Sequence, residues 1–312
     1  MGRVIALPDV VLRQLPACIH HESIAVSAGG EDHVIHVMRV RGSGDGPRVP
    51  VLMLHGNPTW GFLWRKVVAA LEIGGAPAPG LDLIIPDLAG LGYSSTPSPG
   101  FHSIEHHGAI IRAVLDSLGI AQVVLAIQDW GGPIGLHALA HSPERLLGLV
   151  LLNTVIGPPK PGFRPTAFHR FARVPILSDV AFTRLGFAQH FMSFVQGDPF
   201  SLSLDALRAY DLPLRGSSVP LILARMVPDS LEHPSVPALQ RCQAFALGAQ
   251  VPVAIVWGDR DPVLGPVIHR LEKQLPHAHV VRTRAGHFIQ EEAPEAIAAA
   301  IRRVVAEAIP RR

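Results

Sequence analysis

The chain has 312 residues, of which 48% are apolar and 17% charged, with 27 basic side chains against 25 acidic ones. At about 150 residues per domain this length allows two domains, or one large domain carrying an insertion, and the apolar content excludes intrinsic disorder. A net charge of +2 gives no field that gathers nucleic acid by counterion release, and two cysteines, Cys18 and Cys242, are too few for a disulfide framework or a cysteine-rich metal cage.

Residues 1–16 interrupt their apolar run with Arg3, Asp9 and Arg13, so they lack the continuous core of a signal peptide. Ala6 stands where an acylation signal beginning at Gly2 has Ser or Thr. No apolar stretch reaches the roughly 18 residues that span a bilayer, so the expectation is a cytoplasmic protein without stable membrane insertion. The mean hydropathy of +0.30 leaves room for subunit contacts, and so for a homo-oligomer, or for a membrane-facing patch.

A strand-like run at 33–40 passes into the turn-rich RGSGDGPR at 41–48, which predicts an antiparallel hairpin leading into a sheet. Apolar runs at 49–54, 81–85, 122–127, 146–152, 251–257 and 279–283 then read as strands buried on both faces. Helical patterns at 60–71, 104–118, 132–141, 237–247 and 267–275 lie between them. The last, 294–309, repeats Ile297, Ala300, Ile301, Val304 and Val305 at three- and four-residue steps behind Pro294. Such alternation means an α/β protein with a parallel sheet flanked by helices. It stops between about 156 and 227, where GPPKPG at 157–162 opens a stretch with no strand-like run. That stretch holds the phenylalanines from Phe163 to Phe200. It is predicted to be a helical insertion at 157–227, dividing a core made of 1–156 and 228–312. Singly its phenylalanines read as helical core; as a group, between two halves of a sheet, they are placed to line an apolar pocket.

The central motif is Gln128-Asp129-Trp130-Gly131-Gly132, which follows a predicted strand and opens a helix, the setting of a nucleophile elbow. Gly131 and Gly132 are the small neighbours a sharp bend needs. Where serine hydrolases carry Ser, this chain has Asp129. A carboxylate is already an anion, so it needs no base before attacking a saturated carbon and displacing a leaving group. The helix start beside it favours negative charge. Taken alone, an Asp before Gly is better read as a helix cap; its companions shift the balance. His55-Gly56-Asn57-Pro58-Thr59-Trp60 follows the strand at 49–54, so the backbone amides of Asn57 and Trp130 take the two oxyanion-hole positions. Their side chains add an amide and an indole N–H, uncharged donors suited to a weakly hydrated anion. Gly258-Asp259-Arg260-Asp261 ends one strand, and Ala285-Gly286-His287-Phe288 follows another. The order nucleophile, acid, histidine is then Asp129, Asp261, His287, with His287 activating water and Asp261 orienting it. Asp259 is the competing acid.

HGNPTW at 55–60, QDWGG at 128–132, the Asp261 motif and AGHF at 285–288 together resemble the haloalkane dehalogenases, along the whole chain. Asp followed by Trp at the elbow is the most specific element. The resemblance implies the α/β-hydrolase fold, a mostly parallel eight-stranded sheet with a helical cap inserted after the sixth strand. It also implies a small apolar halogenated substrate, water and halide as partners, and no metal or organic cofactor. Asn153 replaces the Glu that one subfamily places after the sixth strand, and 157–228 contains no Trp for the halide site of another. With Asp129, Asp261 and His287 as catalytic residues and Asn57 and Trp130 holding halide, the chain resembles the third subfamily, some of whose members self-associate.

Other readings of the same residues are weaker. An epoxide hydrolase usually presents two cap tyrosines, and only Tyr93 and Tyr210 occur, with Tyr210 alone in the insertion. Fluoroacetate-type enzymes place Arg, not Trp, after the nucleophile. A luciferase-like oxygenase shares the Asn and Trp donors and would be told apart by light emission. A ligand receptor on this fold needs a pocket but not a complete set of catalytic groups. The pairs His20-His21 and His106-His107 lack metal-site spacing, and Ser95 stands where a dinucleotide fingerprint needs its third Gly.

Overall fold

A computed structural model of the chain describes residues 6–44, 46–72 and 80–309. The expectations that rest on Gly2 and Arg3, and Asp45 of the predicted turn, lie outside these residues. Eight strands make one sheet: β1 (His20–Ala28), β2 (Glu31–Arg41), β3 (Val49–Leu54), β4 (Leu81–Pro86), β5 (Val123–Gln128), β6 (Leu146–Leu152), β7 (Val253–Gly258) and β8 (His279–Thr283). Their spatial order is β1-β2-β4-β3-β5-β6-β7-β8. β2 runs antiparallel to β1 and to β4, and all other pairs are parallel.

The apolar runs are unbroken because successive side chains serve opposite faces of a doubly covered sheet. Met53, Ile85, Ala126, Val150 and Val256 pack with Val67 and Val68 of the helix Arg65–Leu71 and with Ile297, Ile301 and Val304 of the helix Pro294–Ala308. Leu52, Leu54, Leu125, Ile127, Leu151 and Ile255 face the other way. They meet the helices Ile104–Ser117, Gly131–Ala140, Val236–Gly248 and Ile268–Gln274. Burying a Leu or Ile side chain fully is worth roughly 1.5–3 kcal/mol, so the paired faces fix the register of the central strands.

Two local expectations are corrected. The hairpin joins β1 to β2 through Gly29 and Gly30, both at positive φ, so it lies upstream of 33–40; residues 41–48 instead cross from β2 to β3, which is not its neighbour. β1 was invisible in the sequence because it is an edge strand whose side chains, Val26 apart, are exposed or half-buried. The helix predicted from residue 60 begins as a 3-10 turn at Gly61–Trp64, and Trp60 itself is extended, at φ −148. Its indole N–H donates instead to the Ala209 carbonyl at 3.0 Å.

Between β6 and the helix Val236–Gly248 the chain forms short helices at Ala167–Ala172, Leu177–Thr183, Phe187–Phe191, Leu204–Asp211 and Val219–Arg225. Phe168, Phe171, Phe182 and Phe187 pack with Ala172, Ala181, Leu221 and Ala224 as a small separate core. Phe163, Phe194 and Phe200 face solvent, Phe200 being 92% exposed. The phenylalanines are therefore largely structural. Among the described residues no helix is long and apolar enough to cross a membrane.

Candidate active site

The groups singled out in the sequence meet at the C-terminal ends of the parallel strands, where open α/β sheets place their sites. Asp129 follows β5 at φ 48, in the left-handed region that side-chain-bearing residues seldom occupy. Such a bend costs of order 1–3 kcal/mol and persists where its surroundings hold it. Here the Asp129 N–H donates to the Asn153 carbonyl at 3.1 Å, and the Asp129 carbonyl accepts from the Gly132 N–H at 3.0 Å and from Thr154 Oγ1 at 2.6 Å. The next helix packs so closely that a Cβ at Gly131 would strike the Leu54 and His55 carbonyls, and one at Gly132 would strike Thr154 Oγ1. The bend turns the Asp129 carboxylate toward the loops after β3 and β8.

Asn57, after β3, donates its backbone N–H to Asp129 Oδ1 at 2.9 Å. His287, after β8, brings Nε2 to 3.4 Å from Asp129 Oδ2 and Nδ1 to 2.8 Å from Asp261 Oδ2. Asp261, after β7, is 4% exposed and spends its other oxygen on the Val263 and Leu264 backbone N–H groups, at 2.7 and 3.1 Å. Asp259 points elsewhere and pairs with Arg282 at 2.6 Å. Burial alone would lower the basicity of His287, but the carboxylates of Asp261 and Asp129 outweigh it and push its pKa up to about 10. Burial would raise the Asp261 carboxyl; the imidazolium of His287 and the hydrogen bonds from His287 and Asn153 hold it below its usual range.

Trp130 is buried, and no acceptor for its indole N–H occurs among the described residues. The Asn57 side chain is partly committed: its Nδ2 donates to the Pro220 carbonyl of the insertion at 2.9 Å, which leaves the second N–H of that amide, while Oδ1 is buried without a partner. An open cleft of about 600 Å³ lies elsewhere, lined by Arg13, Cys18, Lys66 and Ser201, and holds none of these groups.

Asn153 has a part that its sequence position did not reveal. Fully buried at φ 29, it donates from Nδ2 to Asp261 Oδ2 at 2.8 Å and to the Gly258 carbonyl at 3.1 Å, and it accepts from the Gly258 N–H at 2.8 Å. It braces the acid from the neighbouring strand end. Gln128 similarly donates to the His287 carbonyl at 3.1 Å. The place of Asn153 after β6, where a related subfamily carries its acid, marks the position but not the bracing.

Comparison with known proteins follows the same outline. The family model of the α/β-hydrolase fold matches residues 49–294. Haloalkane dehalogenase 2 of Mycobacterium bovis is 32% identical over 262 residues, 83% of this chain and 87% of its own length. A haloalkane dehalogenase of Mycobacterium marinum is 31% identical over 305 residues, covering 93% and 95% of the two chains. The crystal structure of the haloalkane dehalogenase DbeA from Bradyrhizobium elkani superposes with a TM-score of 0.77 at 25% identity, over 93% of this chain and 98% of that one. Likeness of this extent, running through the strand ends that carry Asp129 and His287, makes the chain a member of the haloalkane dehalogenase family within the α/β-hydrolase fold.

Proposed function

We propose that the protein hydrolyses the carbon–halogen bond of halogenated alkanes through an ester formed on Asp129. The observation that carries this reading is the Asp129 carboxylate, fixed at a strained bend between an amide donor and a histidine, with a free indole N–H on the next residue. Oδ1 rests on the Asn57 amide, so Oδ2 is the attacking oxygen. It displaces the halogen in line, and the departing halide is received by the indole of Trp130 and the remaining side-chain N–H of Asn57. Both donors are uncharged and suit a large, weakly hydrated anion.

Hydrolysis then begins at the Asp129 carbonyl carbon. Esterification removes one of the two anions that flank His287, which lowers its pKa and frees it to take a proton from water. The hydroxide adds to the carbonyl carbon, and the charge gathering on Oδ1 meets the Asn57 amide. Asp261 holds the imidazolium. The bond from the carbonyl carbon to Oδ2 breaks, giving a primary alcohol, with halide and one proton as the other products. Asp129, Asp261 and His287 are thus the catalytic groups. We read 157–227 as a cap domain over a core of 1–156 and 228–312, joined to it beside the site by the Asn57–Pro220 bond.

Bromide release from 1,2-dibromoethane or a 1-bromoalkane tests the reading. Asp129→Asn should abolish release, and replacing His287 should let the alkyl ester accumulate as a mass increase on Asp129. Full activity in Asp129→Asn would reject the mechanism. Epoxide hydrolysis is disfavoured by a specific contact: Tyr210, the one tyrosine in the insertion, is fully buried and donates its hydroxyl to Glu291.

A further inference from the structure

One histidine of the insertion has no part in the chemistry above and yet borders it. His169 lies in the helix Ala167–Ala172, which packs beside the helix Val219–Arg225. The C-terminal ends of the two helices are tied together, since Arg225 Nε donates to the Ala172 carbonyl at 2.8 Å and Arg173 reaches the Arg225 and Val227 carbonyls. The second helix also carries Pro220, whose carbonyl holds the Asn57 side chain. His169 therefore sits on a helix packed against the one that reaches Asn57. The charges that act on its ring are those of Asp129, His287 and Arg173.

The ring is half-buried, and burial, opposed by Asp129, lowers its pKa to about 4, so it is neutral near pH 7. Nδ1 lies 2.8 Å from Thr166 Oγ1. Thr166 precedes the helix but its side chain caps no backbone N–H, and no other acceptor for its hydroxyl proton occurs among the described residues. That proton is best placed on Nδ1, which puts the ring's own proton on Nε2. Nε2 has no partner among the described residues. The result is a neutral N–H donor near Asp129 and His287. An unpaired donor of this kind favours a ligand that supplies an acceptor and is wasted on one that does not.

We propose that His169 is a specificity-determining residue, whose Nε2–H binds an ether, hydroxyl or carbonyl oxygen carried on the alkyl chain of the halogenated substrate. The enzyme would then prefer oxygen-bearing haloalkanes to plain ones of the same length. The inference rests on the dehalogenase reading, because the oxygen is recognised while the halogenated carbon faces Asp129.

The experiment compares kcat/KM for 2-bromoethyl ethyl ether and 1-bromopentane, two bromides of equal chain length, by bromide release from the full chain. In the wild type the ether should be preferred over the alkane. In His169→Leu the ratio of the two values should fall about tenfold, the size of one lost hydrogen bond. His169→Gln, which carries a neutral N–H at similar reach, should restore most of it. An unchanged ratio in His169→Leu overturns the proposal. So does an equal loss on both substrates, which would make His169 a partner of the halide or of Asp129. Absence of bromide from either substrate in the wild type sinks the dehalogenase reading and this inference with it; bromide from both with a ratio indifferent to residue 169 sinks the inference alone.

Discussion

At the scale of single residues, the site works by placing one imidazole between two carboxylates. His287 is buried, which disfavours its charge, yet Asp261 at 2.8 Å and Asp129 at 3.4 Å hold its pKa at about 10. On the proposed mechanism the resting enzyme carries the proton that its second step must lose, and the ester on Asp129 would be the event that releases it. Asp129→Asn imitates the loss of that charge. The ring protons of His287, followed by NMR across pH, should titrate well above the usual 6.5 in the wild type and markedly lower in Asp129→Asn, with Asp261 alone still supporting the cation. Identical titrations in the two proteins would mean that Asp129 does not govern the base. The meeting of these residues was legible in the sequence because each sits within a short motif beside a strand end. The bracing by Asn153 was not, since it depends on β6 and β7 being neighbours, and neighbourhood in a parallel sheet is decided by crossovers far apart in the chain.

Among the elements, the insertion is fastened to the core around the histidine loop. The His287 N–H donates to the Val195 carbonyl at 2.8 Å, and Glu292 accepts from the Gly197 and Asp198 N–H groups at 3.0 and 2.7 Å. Deeper in, Glu291 receives Arg65, Lys66 and the hydroxyl of Tyr210, which belongs to the helix Leu204–Asp211. Removing one donor from a buried network costs more than the bond contributes, because the groups it met are left in a dry site short of a hydrogen bond. Tyr210→Phe should lower stability by about 1–3 kcal/mol in urea titration, and should speed amide exchange in the helix Leu204–Asp211 while leaving β3, β5 and β6 protected. Uniform acceleration across the sheet would show that the network holds the whole fold rather than the cap. The parallel strands could be read from the sequence because burial on both faces leaves unbroken apolar runs. The helices of the insertion could not be delimited, since none in the 167–225 stretch exceeds the eight residues of Leu204–Asp211. At little more than two turns or fewer, a 3.6-residue period leaves little trace.

For the molecule as a whole, histidines set the pH range of stability from both sides. His287, whose folded pKa is raised to about 10, stabilises the fold fully below its unfolded value of 6.5, and that contribution is lost as pH rises through 10. His107 acts in the opposite sense. It is 1% exposed in the helix Ile104–Ser117, its Nδ1 has no partner, and burial, helped by the neighbouring histidines, lowers its pKa to about 3. Above pH 6.5 it is neutral in both states and contributes no slope. As pH falls below 6.5 the unfolded chain takes up a proton that the folded chain refuses until about 3, so stability drops throughout that window by up to about 1.4 kcal/mol per pH unit for this one group. His102, whose Nδ1 is 3.0 Å from His107 Nε2, and the buried His137 are also lowered, each to about 4, and add to the same acid limb. Urea midpoints measured at pH 7.5 and pH 5 should therefore converge in His107→Leu relative to the wild type, by the slope of about one proton. The difference at pH 7.5 alone would report only packing. If the two proteins lose stability in parallel between these pH values, His107 is not a proton-excluding group, and the acid limb belongs to the paired carboxylates.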